Sequence, residues 1–184
     1  MEARFKSSIT SPKISGFEWR EPEDSSDLDT FRDIATVGCS ILKIIPDEED
    51  TDSFFDYFYT IGFYLNLIHP ELLIMGMSHT GDMMNDLFSY VESGHSIGEN
   101  HTVRYDLGQG EVKFVAKPVL ERHFVDYLGY GCWFYRSLFS KPPCGTHKFP
   151  VLQLFWPDKR GYYPWDPQCD PRSKEIQILK NQKA

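Results

Sequence analysis

A chain of 184 residues, 41% hydrophobic and 15% aromatic, is long enough to bury a sizeable core and fits one domain better than two. Its 27 acidic and 19 basic residues give a formal charge of −8, which disfavours nucleic acid as a partner, because nonspecific grip on a phosphate backbone comes from cationic side chains. No apolar run is long enough for a membrane-spanning helix, and the start lacks the pattern of a secretory leader, so no membrane partner and a cytoplasmic location are expected.

In chain order, residues 1–29 contain SSITSPK and EPEDSSDLD, which favour solvation over burial and predict a flexible N-terminal arm. The domain proper is expected over residues 30–171, with 172–184 as a C-terminal extension or short helix. FRDIATVGCSILKII (Phe31 to Ile45) reads as a short helix joined at Gly38 to a strand, and PDEEDTDS as a polar connection. Tyr57 to Tyr64 predicts a strand, with Gly62 at a bulge or a close backbone approach. Asn66 to Pro70 marks a turn, and Leu72 to Met77 a strand buried on both faces. Pro70, which has no N–H, fits the start of that strand and not its middle.

A helix over 81–93 follows from the apolar face of Met83, Met84, Leu87, Phe88 and Val91, with Thr80 as cap and Gly94 as stop. HTVRYDL and EVKFVAK form a hairpin through LGQG. The stretch VLERHFVDYLGYGCWFYRSLF carries a helical stripe of Leu120, Phe124 and Leu128, so a second long helix is predicted, with Gly129 and Gly131 implying a kink, a tight contact or an early end. Phe149 to Trp156 is a strand, Pro157, Asp158 and Gly161 a turn, and SKEIQILK a terminal helix or a surface tail. The sum is an α+β fold, a single compact domain with a mixed or antiparallel sheet and two principal helices.

Three clusters carry candidate chemistry. His69 and Glu71 flank Pro70, and a histidine beside a carboxylate can transfer protons; a turn and a surface charge pair are the structural alternative. Two ligands fall short of a zinc site and HPE is not the helical HExxH motif, so no metal site is assigned. His123 lies four residues before Tyr127, on one helical face if the helix forms, where it can bind a ligand or make a polar edge. The third cluster runs from Gln153 to Asp166. Gln153 is an amide inside a core strand and needs partners there; Trp156, Tyr163 and Trp165 offer flat surfaces; Asp158 and Asp166 offer acceptors or bases.

There is no GxSxG elbow, no GxxxxGK[ST] phosphate loop and no GxGxxG at a strand-to-helix junction. Cys39, Cys132, Cys144 and Cys169 are far apart and form no CxxC pair, so free thiols are expected. Cys144 and His147 share a loop-like segment, which is poor ground for a Cys-His catalytic pair. Lys141, Lys148, Lys159 and Arg160 read as a solvated face.

Taken together and in order, YTIGFYLNLIHPELLIMGMS, VDYLGYGCWFY, FPVLQLFWPDKRG and YYPWDP resemble a largely bacterial family of domains of unknown function that carries YTxG, HPEL, YLGYA-like and QLxWPD/PWDP motifs. The resemblance spans residues from about Gly38 to Pro171. Cys132 stands where the family often has a small residue. The resemblance implies a common compact domain and a surface shared by His69, Glu71, Gln153, Asp158, Trp165 and Asp166, and it implies no activity.

The leading functional expectation is a soluble accessory or regulatory binding domain that recognises a small molecule or a partner protein through Tyr59, Gln153, Trp156, Asp158, Tyr163 and Trp165. The alternative is a hydrolase or other proton-transfer enzyme using His69, Glu71, His123 and Asp166. The cofactor is unknown: no pattern in the sequence assigns one.

Overall fold

The structure, a computed structural model, describes residues 12–14, 16–19, 21–45, 55–78, 80–108, 110–138 and 149–177. The PDEEDTDS connection, the segment around Cys144 and His147, Lys141 and Lys148, and the end of SKEIQILK lie outside them. The fold is α+β, one mixed six-stranded sheet with helices on both faces. Its strands are β1 (Ser40–Ile44), β2 (Tyr57–Ile61), β3 (Glu71–Met75), β4 (Thr102–Asp106), β5 (Glu111–Pro118) and β6 (Val151–Phe155), in the order β1-β2-β3-β6-β5-β4. Every neighbouring pair is antiparallel except β3 and β6. These two lie at the centre, covered on both faces, so ELLIM and VLQLF are buried throughout and show no alternation.

The period-two rule divides the core into two layers. On one face, Tyr57, Tyr59, Ile61, Leu73, Met75 and Val151 meet α1 (Ser25–Thr36), α4 (Phe124–Tyr127) and α5 (Gly129–Ser137). On the other, Phe58, Leu72, Ile74, Phe114, Ala116 and Leu154 meet α3 (Gly81–Glu92), whose apolar stripe is the predicted one.

Several elements depart from the sequence expectation. Helix α1 begins at Ser25, inside the expected arm, with the Asp24 side chain capping the Asp27 N–H at 2.9 Å. Phe17 packs against the same core, so part of the 1–29 segment is structural. The expected strand from Tyr57 to Tyr64 ends at Ile61. Gly62, at φ +122°, turns the chain into α2 (Phe63–Leu67), and a Cβ there would lie 2.5 Å from the Gly38 carbonyl oxygen. The predicted long second helix is broken into a 3₁₀ turn (Glu121–His123), α4 and α5, with Leu128 out of helical geometry between the last two. Gly131 accounts for the close seating of α5, since a Cβ would meet the Phe149 ring at 3.2 Å and the Tyr59 ring at 3.5 Å. Thr80 stands at the N-terminus of α3 without a side-chain cap, its buried hydroxyl unpartnered among the described residues. Helix α6 (Pro171–Gln177) docks on the sheet and buries Gln177 completely. The domain therefore has six α-helices among the described residues, and α1 and α3 are the two of 12 residues.

Candidate functional site

Glu71 is fully buried at the first position of β3. Its Oε2 accepts the Thr60 hydroxyl at 2.6 Å; its Oε1 accepts the N–H groups of Gly62 (2.9 Å) and Tyr64 (3.0 Å) and the Tyr135 hydroxyl. The Thr60 hydroxyl also accepts the Leu72 N–H at 2.9 Å, replacing a backbone carbonyl just where the β2–β3 ladder ends at Tyr59↔Leu73. YTIG and the glutamate of HPEL thus form one knot that turns β2 into α2 and returns the chain to β3. Burial pushes the Glu71 carboxyl up against the pull of its four donors, and burial together with the Glu71 charge holds the Tyr135 phenol well above its usual range.

His69 works on the other layer. Its Nε2 accepts the Ile97 N–H at 3.0 Å, which leaves Nδ1 to carry the proton and donate to the Pro70 carbonyl at 2.7 Å. The ring packs beside Phe63, and burial lowers its pKa. His123 is 1% exposed, receives the Arg122 Nε–H at 3.2 Å and meets Tyr127 edge-on; burial and then the Arg122 charge lower its pKa. Asp166 accepts the Gln168 N–H at 3.0 Å in its own loop. Among the described residues no hydrogen bond or ring contact joins any two of these four, and no three histidine, cysteine or acidic side chains come together as a metal site.

The second candidate set divides between core and closure. Tyr59 is 1% exposed in the first layer. Gln153 donates to the Gln177 carbonyl at 2.5 Å, its own carbonyl oxygen buried without a partner among the described residues. The Gln177 amide accepts the Trp156 N–H (2.8 Å) and donates to the Trp156 carbonyl (3.0 Å), pairing with it as a strand residue would. The Trp156 indole donates to the Met75 carbonyl at 2.9 Å. Asp158 organises the loop after β6: its carboxylate accepts the N–H groups of Arg160 (2.8 Å), Tyr162 (3.0 Å) and Asp170 (2.9 Å). Burial alone would raise its pKa, but the amides of Tyr162, Asp170 and Arg160 and the Arg160 charge outweigh it and hold the group at about 2. Trp165 is 43% exposed, yet Tyr163 stacks on its indole (5.0 Å, 3°) and the Lys117 ammonium stands 4.7 Å from the ring centroid.

A different feature is open. Between α3, the connection after it and the outer strand β4 lies a groove of about 630 Å³ with Leu87, Ile97 and Val103 as apolar lining. Asp86, Tyr90, His101 and Tyr105 add polar groups to the same walls. The Tyr105 hydroxyl donates to Asp86 Oδ2 at 2.6 Å, and this bond, with burial and the charges of Asp86 and Asp82, pushes the phenol up to about 12. The Gly98 N–H donates to His101 Nδ1 at 3.1 Å. His69 belongs to this groove indirectly, because the Ile97 it holds is part of the lining.

A family model described as a domain of unknown function (DUF4262) matches residues 33–170. The chain belongs to this family. No curated protein and no solved structure matches it. The DUF4262 span takes in the Glu71 knot, the His69 latch, the Asp158 loop and the whole groove, whereas Gln177, which closes the sheet beside Trp156, lies beyond it.

Sequence reasoning missed the groove because Asp86 and Tyr90 sit on the polar side of an amphipathic helix, where a solvated face is the ordinary reading. One signal was available: from 81 to 106 the chain carries five acids and a single lysine or arginine, Arg104.

Proposed function

We propose that this domain is a binding module whose recognition site is the groove between α3 and β4. The observation that carries the reading is the groove itself: a volume within the usual range for ligand sites, an apolar lining and several convergent polar groups. The proton-transfer alternative draws less from the geometry, because Glu71 and His69 spend their polar atoms on backbone and hydroxyl partners of opposite layers.

A fragment screen followed by amide chemical shifts in the labelled chain tests this. Perturbations are expected at Leu87, Ile97, Val103 and Tyr105. Tyr105→Phe together with Asp86→Asn should weaken such hits about tenfold, the equivalent of one or two ligand hydrogen bonds. Perturbations confined to Tyr163 and Trp165, abolished by changing Trp165 and Asp166, would transfer recognition to the closing loop. A screen without hits would remove the proposal.

A further inference from the structure

The groove has a wall that ordinary pockets lack, the outer edge of β4, which ends the strand order and pairs with no further strand among the described residues. The β4–β5 ladder fixes which groups point where. At one end the Leu107 N–H donates to the Gly110 carbonyl, and at the other the Ala116 N–H donates to the His101 carbonyl. The alternation of an antiparallel pair between those points turns the N–H and C=O of Val103 and Tyr105 toward β5 and those of Thr102, Arg104 and Asp106 outward. The Val103 and Tyr105 side chains belong to the α3 layer, so a chain laid along β4 would drop every second side chain beside Leu87 and Tyr90.

Charge selects the occupant. Asp86 lines the groove, and Asp82, one turn earlier on α3, is exposed as well. The one guanidinium, Arg104, is held by Glu111 at 3.2 Å. Asp86 gives only Oδ2 to Tyr105. We infer that the groove takes an extended peptide segment bearing lysine or arginine, added to β4 as a further strand, with main-chain bonds to Thr102, Arg104 and Asp106 and a cationic side chain at Asp86. This rests on the binding-module reading and adds to it the class of ligand and the mode of capture.

The test is selection from a display library of short linear peptides against the full chain, followed by affinity measurement. Enriched peptides are expected to carry lysine or arginine and to lose severalfold in affinity on Asp86→Asn. Arg104→Pro deletes an outward N–H without taking a bond from the β4–β5 ladder, and Arg104→Ala controls for the lost guanidinium. Binding should fall about tenfold between the alanine and the proline variants. N-methylation of alternate peptide nitrogens should produce a similar loss against the unmodified chain, which carries the test if the proline variant does not fold. Selected peptides that are acidic, or that are indifferent both to Arg104→Pro and to N-methylation, overturn the inference. No peptide binding alongside fragment shifts in the groove overturns strand addition and leaves the binding module standing; failure of both screens removes both.

Discussion

Glu71 sits in the core with no cation among its hydrogen-bond partners, an arrangement that persists only because every partner is a donor. Glu71→Ala removes the acceptor shared by the Thr60 and Tyr135 hydroxyls and the Gly62 and Tyr64 N–H groups, at about 1–3 kcal/mol for each buried donor that finds no other acceptor. Denaturant unfolding should register a loss of more than about 3 kcal/mol from these terms together. Glu71→Gln keeps an acceptor oxygen and should cost about 1 kcal/mol. The carboxyl's raised pKa makes the folded chain hold that proton more tightly than the unfolded one. Its contribution to stability is therefore complete below the unfolded value of about 4.3 and is lost as pH rises through the folded value; Glu71→Gln should flatten that slope. His69 has the opposite sign. Its lowered pKa gives a contribution present above the unfolded value of about 6.5 and lost as pH falls through the folded value. Protonated Nε2 would face the Ile97 N–H donor to donor, so Ile97 amide exchange, corrected for intrinsic rate, should accelerate on acidification. Unchanged protection across that range would contradict the latch. Adjacency made His69 and Glu71 look like a pair in sequence, but strand alternation starts only at Glu71, and Pro70 separates the two layers they serve.

At the scale of elements, amphipathic patterns were legible and junctions were not. The α3 stripe, the β4–β5 hairpin and the buried β6 follow from period and composition alone. The end of β2 did not, because it depends on a carboxylate nine residues after Gly62. Nor did the docking of α6, where the Gln177 side chain completes the backbone pairing of Trp156 across 21 residues. That docking brings Ile176 so close to Gly76 that a Cβ there would lie 1.8 Å from its Cγ2, at a backbone φ of +67°. Gly76→Ala should therefore cost about 1–3 kcal/mol, the range for overpacking. Gln177→Ala should cost about as much through the two Trp156 groups it leaves unpaired. Thermal unfolding of both variants checks this, and native-like melting of either would show α6 to be a surface appendage.

For the whole molecule, fold class came from the sequence more readily than the site did. Composition and alternation specify layers, but a groove is a relation between elements: its walls are a helix, a connection and an edge strand, none of them unusual alone. The family resemblance pointed to motif residues, and in the fold those with the fullest sets of partners, Glu71 and Asp158, shape turns. The strand order has one more consequence. Among the described residues β6 is the last strand, and it stands between β3 and β5, so during synthesis the first three strands and the β4–β5 hairpin emerge ahead of the strand that joins them, each group with an inner edge open. Neither half can find its final neighbour until Val151–Phe155 leaves the ribosome and is inserted between them, closing contacts some eighty residues apart on the β3 side. A chain stopped short of that strand would leave both inner edges open, the state in which pairing with another chain competes with folding.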